Sequence, residues 1–342
     1  MNETTAMMVL EVGPYFELTL SILCLLVNIY FAIRFSQSEC FSSNLRILLV
    51  TSNIITSLCT LLHPILQMIS IEWYSIEKGQ NYLAAVFVYL SNFTMMVLLM
   101  IVNSKFLMLS VERWVAFKNR VDYEQRDGSG ARKVLYYYIA IVTILSAIKS
   151  IVMFTMSTGS MDERLAWTFQ PERCVFLFTP LTFFAGLTWI LGVLQFSFLF
   201  NYVKKYKYLG QTLSERFQLK QIGQVIEVII PLLIAYAVAV LYSGVCMLIV
   251  LYVYFVEELG TESAEYRVWA NAAYYSIPAY SFFSSAYMLW KFRPMRRAMY
   301  RDLKSLFGIE CWRPHIVHPH NATDEGNVYF DQLRASWGVP KR

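Results

Sequence analysis

Charge is what this chain has least of. Only 15% of its 342 residues are Asp, Glu, Lys or Arg, whereas AVILMFWYC make up 57% and the mean hydropathy is +0.44. A soluble domain carries about 25% charge, so the deficit excludes a disordered chain, a charge-dense nucleic-acid binder and an ordinary soluble enzyme. Cysteine is scarce too. Of 6, Cys24, Cys59 and Cys246 fall in apolar stretches, Cys40 and Cys311 in basic segments, and Cys174 is alone at the opposite surface. A lone cysteine closes no internal bridge, and no structural disulfide is expected. Also missing are a His-Glu-x-x-His motif, a Walker-type or dinucleotide glycine pattern, and paired carboxylates within the apolar stretches. No enzyme reading survives, and no cofactor is expected.

What is present is a series of long uncharged runs. They cover 25 residues from Ile47 to Ile71, 26 from Gly79 to Ser104, 30 from Cys174 to Val203, 29 from Val228 to Val256 and 23 from Val268 to Trp290. Each exceeds the roughly 18 to 20 residues that cross a bilayer, where a segment must satisfy its own backbone hydrogen bonds and is therefore helical. Two further runs, one following Glu17 and one interrupted by Lys149, complete a set of seven. The expected fold is an all-α seven-helix bundle with spans at 16–34, 46–71, 80–109, 134–157, 175–203, 222–256 and 268–291.

Basic residues divide sharply between the two ends of these spans. Counting Lys and Arg, 4 lie on the side of the amino terminus and 23 on the other. Cationic loops are retained in the cytosol, so the amino terminus is expected outside and the carboxyl terminus inside. The expected organisation is an extracellular segment 1–15, a transmembrane domain 16–291, an amphipathic surface helix 292–308 and a flexible cytosolic tail 309–342. The acids Glu3, Glu11 and Glu17 before the first span argue against a cleaved signal peptide and for an anchor. Of three glycosylation sequons, only Asn2 would lie outside, and Asn92 and Asn321 are read as chance matches.

Several residues stand out. Glu112-Arg113, at the inner end of the third span, can form a local ion pair that opens when a partner competes for the arginine; a plain positive-inside arginine with a balancing acid is the other reading. Thr212-Leu213-Ser214-Glu215 is a capping box. It predicts a sixth helix running from near Leu213 to Val256, 44 residues and roughly 66 Å at 1.5 Å per residue, with a kink at Pro231. Its protruding basic end, with Arg216 and Lys220, is a lever able to open a cytosolic crevice. From Pro294 to Gly308 the apolar and basic residues segregate at helical spacing, as in helices that lie on anionic lipid. Cys311 beyond it is a palmitoylation candidate.

Within the spans, Lys149 is read either as a ligand-pocket cation or as a lysine snorkelling to the headgroups, and Lys105 as snorkelling at the inner end. Tyr89, Asn92, Tyr252, Asn271, Tyr274 and Tyr275 occupy the outer half and are candidates, with Lys149, for a pocket open to the outside; helix packing is the alternative. His63 beside Pro64 reads as a packed, hydrogen-bonded residue. Cys311, His315, His318 and His320 have loosely metal-like spacing in a flexible context, and no metal site is assigned.

Glu112-Arg113-x-x-Ala116, then Asp122-Tyr123-Glu124, and Leu213-Ser214-Glu215-Arg216-Phe217-Gln218-Leu219 resemble the nematode serpentine chemoreceptors of the Sra superfamily. The Sre class is nearest on these motifs, with Sra and Srab as neighbours. Lys220-Gln221 stand where that pattern continues Glu-Asn. The chain also lacks the rhodopsin-type cysteine pair, second-helix Asp and Asn-Pro-x-x-Tyr. The resemblance implies a G-protein-coupled receptor in the plasma membrane, with chemosensory neurons as the candidate cells. It would bind a small chemical ligand outside and a heterotrimeric G protein inside, with Glu112 and Arg113 as latch and Lys118, Arg216 and Lys220 on the coupling surface. Membrane lipid is a partner and nucleic acid is not. The competing class is a transporter or channel, which calls for inverted repeats or buried titratable pairs; neither is visible in the sequence.

Overall fold

The computed structural model describes residues 3–37, 43–79, 81–118, 129–206 and 213–307. Among these there is no strand; the described elements are all helices. The long helices are α1 (Glu3–Ser36), α2 (Ser43–Met68), α3 (Tyr82–Lys118), α4 (Ser129–Met156), α5 (Val175–Tyr206) and α6 (Leu213–Phe255). By length and composition these are six helices able to cross a membrane. The last helical stretch, α7, comes in pieces: Ala264–Ala272, a tight turn Ala273–Tyr275, and Ser276–Lys291. Its uncharged run is long enough, but the turn divides it. A separate helix, α8 (Arg293–Phe307), follows with Pro294 in its first turn, where the missing N–H costs nothing.

One boundary differs clearly from expectation. α1 begins at Glu3 rather than near residue 16, which places Glu17 midway along it. α6 is 43 residues long and continuous through Pro231, close to the length the capping box implies.

α3 is the central helix, packed against α2, α4, α5 and α6, whereas α4 packs mainly on α2 and α3 among the long helices. In its most apolar stretch 56% of α3 is buried, against 17% for α4. The outer surface of α4 carries Ile141, Ile144, Leu145, Ile148 and Ile151, all exposed at helical spacing. A soluble protein rarely exposes such a face; hydrocarbon is the medium that suits it. α1 packs on both α2 and α7, and α6 on α5 and α7, which closes the bundle.

Candidate functional site

The described residues carry four groups of polar side chains, at different depths. At the end where α2 finishes and α3 starts, hereafter the amino-terminal face, the loops are tied together. The helix Met161–Phe169 starts with a capping box between Ser160 and Glu163. Its Asp162 carboxylate accepts from the Ser75 hydroxyl at 2.6 Å and from the Ile76 and Glu77 amides at 2.9 and 3.3 Å. Burial alone would raise this carboxyl, but the three donors outweigh it and hold it below the usual carboxylate range. Tyr74 stands edge-on to Tyr89 at 5.8 Å, and Gln170 donates to the Tyr74 hydroxyl.

One layer inward, α1, α2 and α7 meet through a hydrogen-bonded chain. His63 Nδ1 donates to Glu17 at 2.8 Å, and Gln67 donates to His63 Nε2 at 3.1 Å and to Asn271 at 2.7 Å. The Tyr274 ring stacks on His63 with centroids 3.7 Å apart. Glu17 and His63 are 1% and 3% exposed. Expectation placed Glu17 at the headgroups and found no buried titratable pair; both statements are corrected here. The reason is geometric: α1 starts at Glu3, well before the expected residue 16, so Glu17 lies midway along the helix and inside the bundle.

Beyond Tyr274 lies a cavity of about 60 Å³ between α3, α5, α6 and α7, lined by Leu99, Asn103, Phe178, Tyr236, Ser243 and Tyr274 among others. Asn103 accepts from the Tyr236 hydroxyl at 3.1 Å, and its carbonyl accepts from Thr188 at 3.0 Å. Ser243 of α6 meets Ser276 of α7 at 3.0 Å beside the α7 turn.

At the opposite, carboxyl-terminal face, α3 ends in a buried acid–arginine fork. Arg113 Nε and Nη2 donate to the two Glu112 oxygens, with the side chains 2% and 1% exposed. Ser110, one turn back, donates to Gln195 of α5. Trp114 and Phe117 pack on Tyr202, with ring centroids 5.5 and 6.3 Å apart. Lys118 is exposed at the helix end. Arg216 and Lys220 lie in the first turns of α6, but their side chains, like Asn2, Asp122-Tyr123-Glu124, Cys311 and the tail histidines, lie outside the described residues.

The seven outer candidates do not converge on one pocket. Tyr274 lines the central cavity and Tyr89 a pocket under the amino-terminal loops. Asn271 belongs to the Gln67 chain, Asn92 donates to its own helix at Val88, and Tyr275 stands edge-on to Phe16. Lys149 points its ammonium at Met96 Sδ, 3.6 Å away, between α3 and α4. Tyr252 is 53% exposed on the outer surface of α6, because its helical register turns it from the bundle, so it is not a pocket residue. Lys105 is also corrected. It does not snorkel but is 6% exposed, with its ammonium 4.1 Å from the centre of the Tyr280 ring. Cys174, expected at the surface, is 1% exposed at the start of α5, and the four described cysteines are all buried and free. No group of metal-ligating residues occurs among the described residues.

Long apolar helices around a central helix, with an interior cavity above a buried acid–arginine fork, define a multi-pass helical membrane protein. The chain belongs to the family of serpentine type 7TM GPCR receptor class ab chemoreceptors, whose model matches residues 1–337. It is therefore a chemosensory G-protein-coupled receptor, and the family is not an enzyme family. The match is to class ab, a neighbour in the motif comparison, and not to the Sre class that those motifs favoured. No curated protein matches the chain.

Proposed function

We propose that an external small molecule, bound from the amino-terminal face, favours a packing in which the inner end of α6 leaves α3, so that a heterotrimeric G protein enters beside Arg113. The observation that carries this reading is the Glu112–Arg113 fork. Two charges closed on each other at the end of the central helix form a bistable contact, since opening it exposes a guanidinium able to bind a carbonyl or carboxylate of a partner. Lys118, Arg216 and Lys220 extend the basic coupling surface. The distribution of Lys and Arg supports a plasma-membrane topology with the carboxyl end in the cytosol. In that topology 1–15 is extracellular, 16–291 the seven-helix domain, α8 an inner-leaflet helix and 309–342 a cytosolic tail; Asn2 is a glycan site and Cys311 a lipidation site.

Of the outer candidates, Tyr274 is best placed to report ligand. It lines the cavity on one side and stacks on His63 on the other, so an occupant there bears on both α6 and the α1–α2–α7 chain.

The test is agonist-stimulated nucleotide exchange with Arg113→Ala at matched surface expression. Breaking a buried pair costs about 3–5 kcal/mol of packing around the orphaned charge, so expression must be equalised before signalling is compared. Loss of stimulated exchange is expected; wild-type stimulation would remove Arg113 from the mechanism.

A further inference from the structure

We propose that this receptor holds one small inorganic anion, of halide size, in the bundle interior beside the Lys105 ammonium. Lys105 lies 13 residues before the end of α3 at Lys118, about 20 Å along the helix, too far for its side chain to reach the terminal turn. Among the described residues no hydrogen bond or ion pair joins the ammonium. Its contacts are the faces of three rings, Tyr280 at 4.1 Å, Phe106 at 5.6 Å and Tyr236 at 5.8 Å. Aromatic faces favour a cation but carry no net charge. Among the described residues the buried carboxylates are engaged elsewhere: Glu17 accepts from His63 and Glu112 from Arg113. A buried charge in a membrane interior calls for a counter-charge or water.

The place for one exists. Lys105, Ser52, Asn53, Tyr280 and Ser284 line a cavity of about 30 Å³, where one water-sized occupant needs about 10–15 Å³. Ser52 is 5% exposed and its hydroxyl has no partner, which leaves its O–H available to the cavity. An ammonium with a hydroxyl donor selects against cations. The remaining wall, including Leu109, Val228, Leu232 and Phe106, is apolar. It suits a weakly hydrated, polarisable monovalent ion better than a carboxylate or phosphate, which need more donors and more room. Because α2, α3, α6 and α7 all line the cavity, the bound ion cross-links four helices.

The experiment uses the purified full-length receptor in detergent, with the unfolding temperature followed as sodium chloride replaces sodium gluconate at constant ionic strength. Chloride, and bromide at least equally, raises Tm saturably by about 3 °C, and gluconate does not. Lys105→Gln abolishes the halide response. Ser52→Ala keeps it but shifts its midpoint about tenfold higher, the loss of one hydrogen bond to an ion. Equal Tm in the two salts, as expected if only water fills the cavity, overturns the proposal, as does a halide response retained by Lys105→Gln. Should Lys105→Gln fail to fold, an unchanged midpoint in Ser52→Ala overturns it instead.

Discussion

The two sides of the bundle are joined in different ways. On the α1–α2–α7 side, polar side chains bond directly to one another across helices. Asn28 donates to Ser57 at 2.7 Å and Ser281 at 2.9 Å and accepts from Ser285, which also accepts from Asn53. Ser21 caps the Thr60 carbonyl, and the Glu17–His63–Gln67–Asn271 chain completes the seam. Among the described residues the α3–α5–α6 side has fewer such ties: Ser110 to Gln195 and Tyr236 to Asn103 join side chains, while Trp189 to Leu233 and Thr188 to Asn103 run to backbone carbonyls. The rest is apolar and aromatic packing around the central cavity. Apolar contacts resemble lipid contacts and are exchanged at little cost in a bilayer, whereas a broken side-chain pair leaves polar groups in hydrocarbon. The first side is a frame and the second is the part able to rearrange.

The sharpest way to break the comparison is Asn28→Leu. It removes the hub of three helices and takes one hydrogen-bond partner from each of Ser57, Ser281 and Ser285, so a loss of about 3 kcal/mol is expected, read as a Tm drop of about 6–10 °C in the purified receptor. Thr188→Val on the other side should cost about 0.6 kcal/mol, the usual worth of an interhelical hydrogen bond in a membrane. Equal losses would erase the distinction between frame and mobile side.

An intermediate effect is expected at Gly192 of α5, where α3 approaches closely. A Cβ there would meet the Phe106 Cβ at 3.3 Å and the Leu107 nitrogen at 3.4 Å. Gly192→Ala should cost about 1 kcal/mol by forcing a small separation and, if the α3–α5 contact restrains activation, raise agonist-independent nucleotide exchange. An unaltered Tm would mean that the contact yields freely.

The smallest effect is expected from Asp162→Asn, which loosens the amino-terminal loops without touching the frame. Hydrogen exchange at the Ile76 and Glu77 amides should accelerate. Because the folded carboxyl titrates below its ordinary value near 3.8, its contribution is complete above that pH and is lost only as the pH falls further. Wild type and variant should therefore converge only in strong acid; convergence at pH 6 would contradict the assignment.

Much of this architecture is legible in the residue pattern, for identifiable reasons. The length of α6 is legible from a Thr-x-x-Glu pattern in the sequence at one end and an uncharged run at the other, both local signals. Glu112 and Arg113 are adjacent, so their pairing requires no knowledge of other helices. What stayed hidden depends on distant partners. Glu17 and His63 are 46 residues apart and meet only because α1 and α2 pack with that register. Lys105 looked like a snorkelling residue because it bounds an uncharged run, and only the Tyr236 and Tyr280 rings show that it faces inward. Tyr252 had the right depth but the wrong azimuth, which depth along a helix does not reveal. The turn at Ala273–Tyr275 contains no proline or glycine to announce it.

The central claim is that α6 moves against a fixed α1–α2–α7 frame. Spin labels at exposed Ser43 of α2, Glu227 of α6 and Lys291 of α7, measured in pairs with and without nucleotide-free G protein, address it directly. The Ser43–Glu227 distance should lengthen by about 5 Å or more, as in other helix displacements, with Ser43–Lys291 unchanged. Lengthening of Ser43–Lys291 with Ser43–Glu227 held constant would contradict the account.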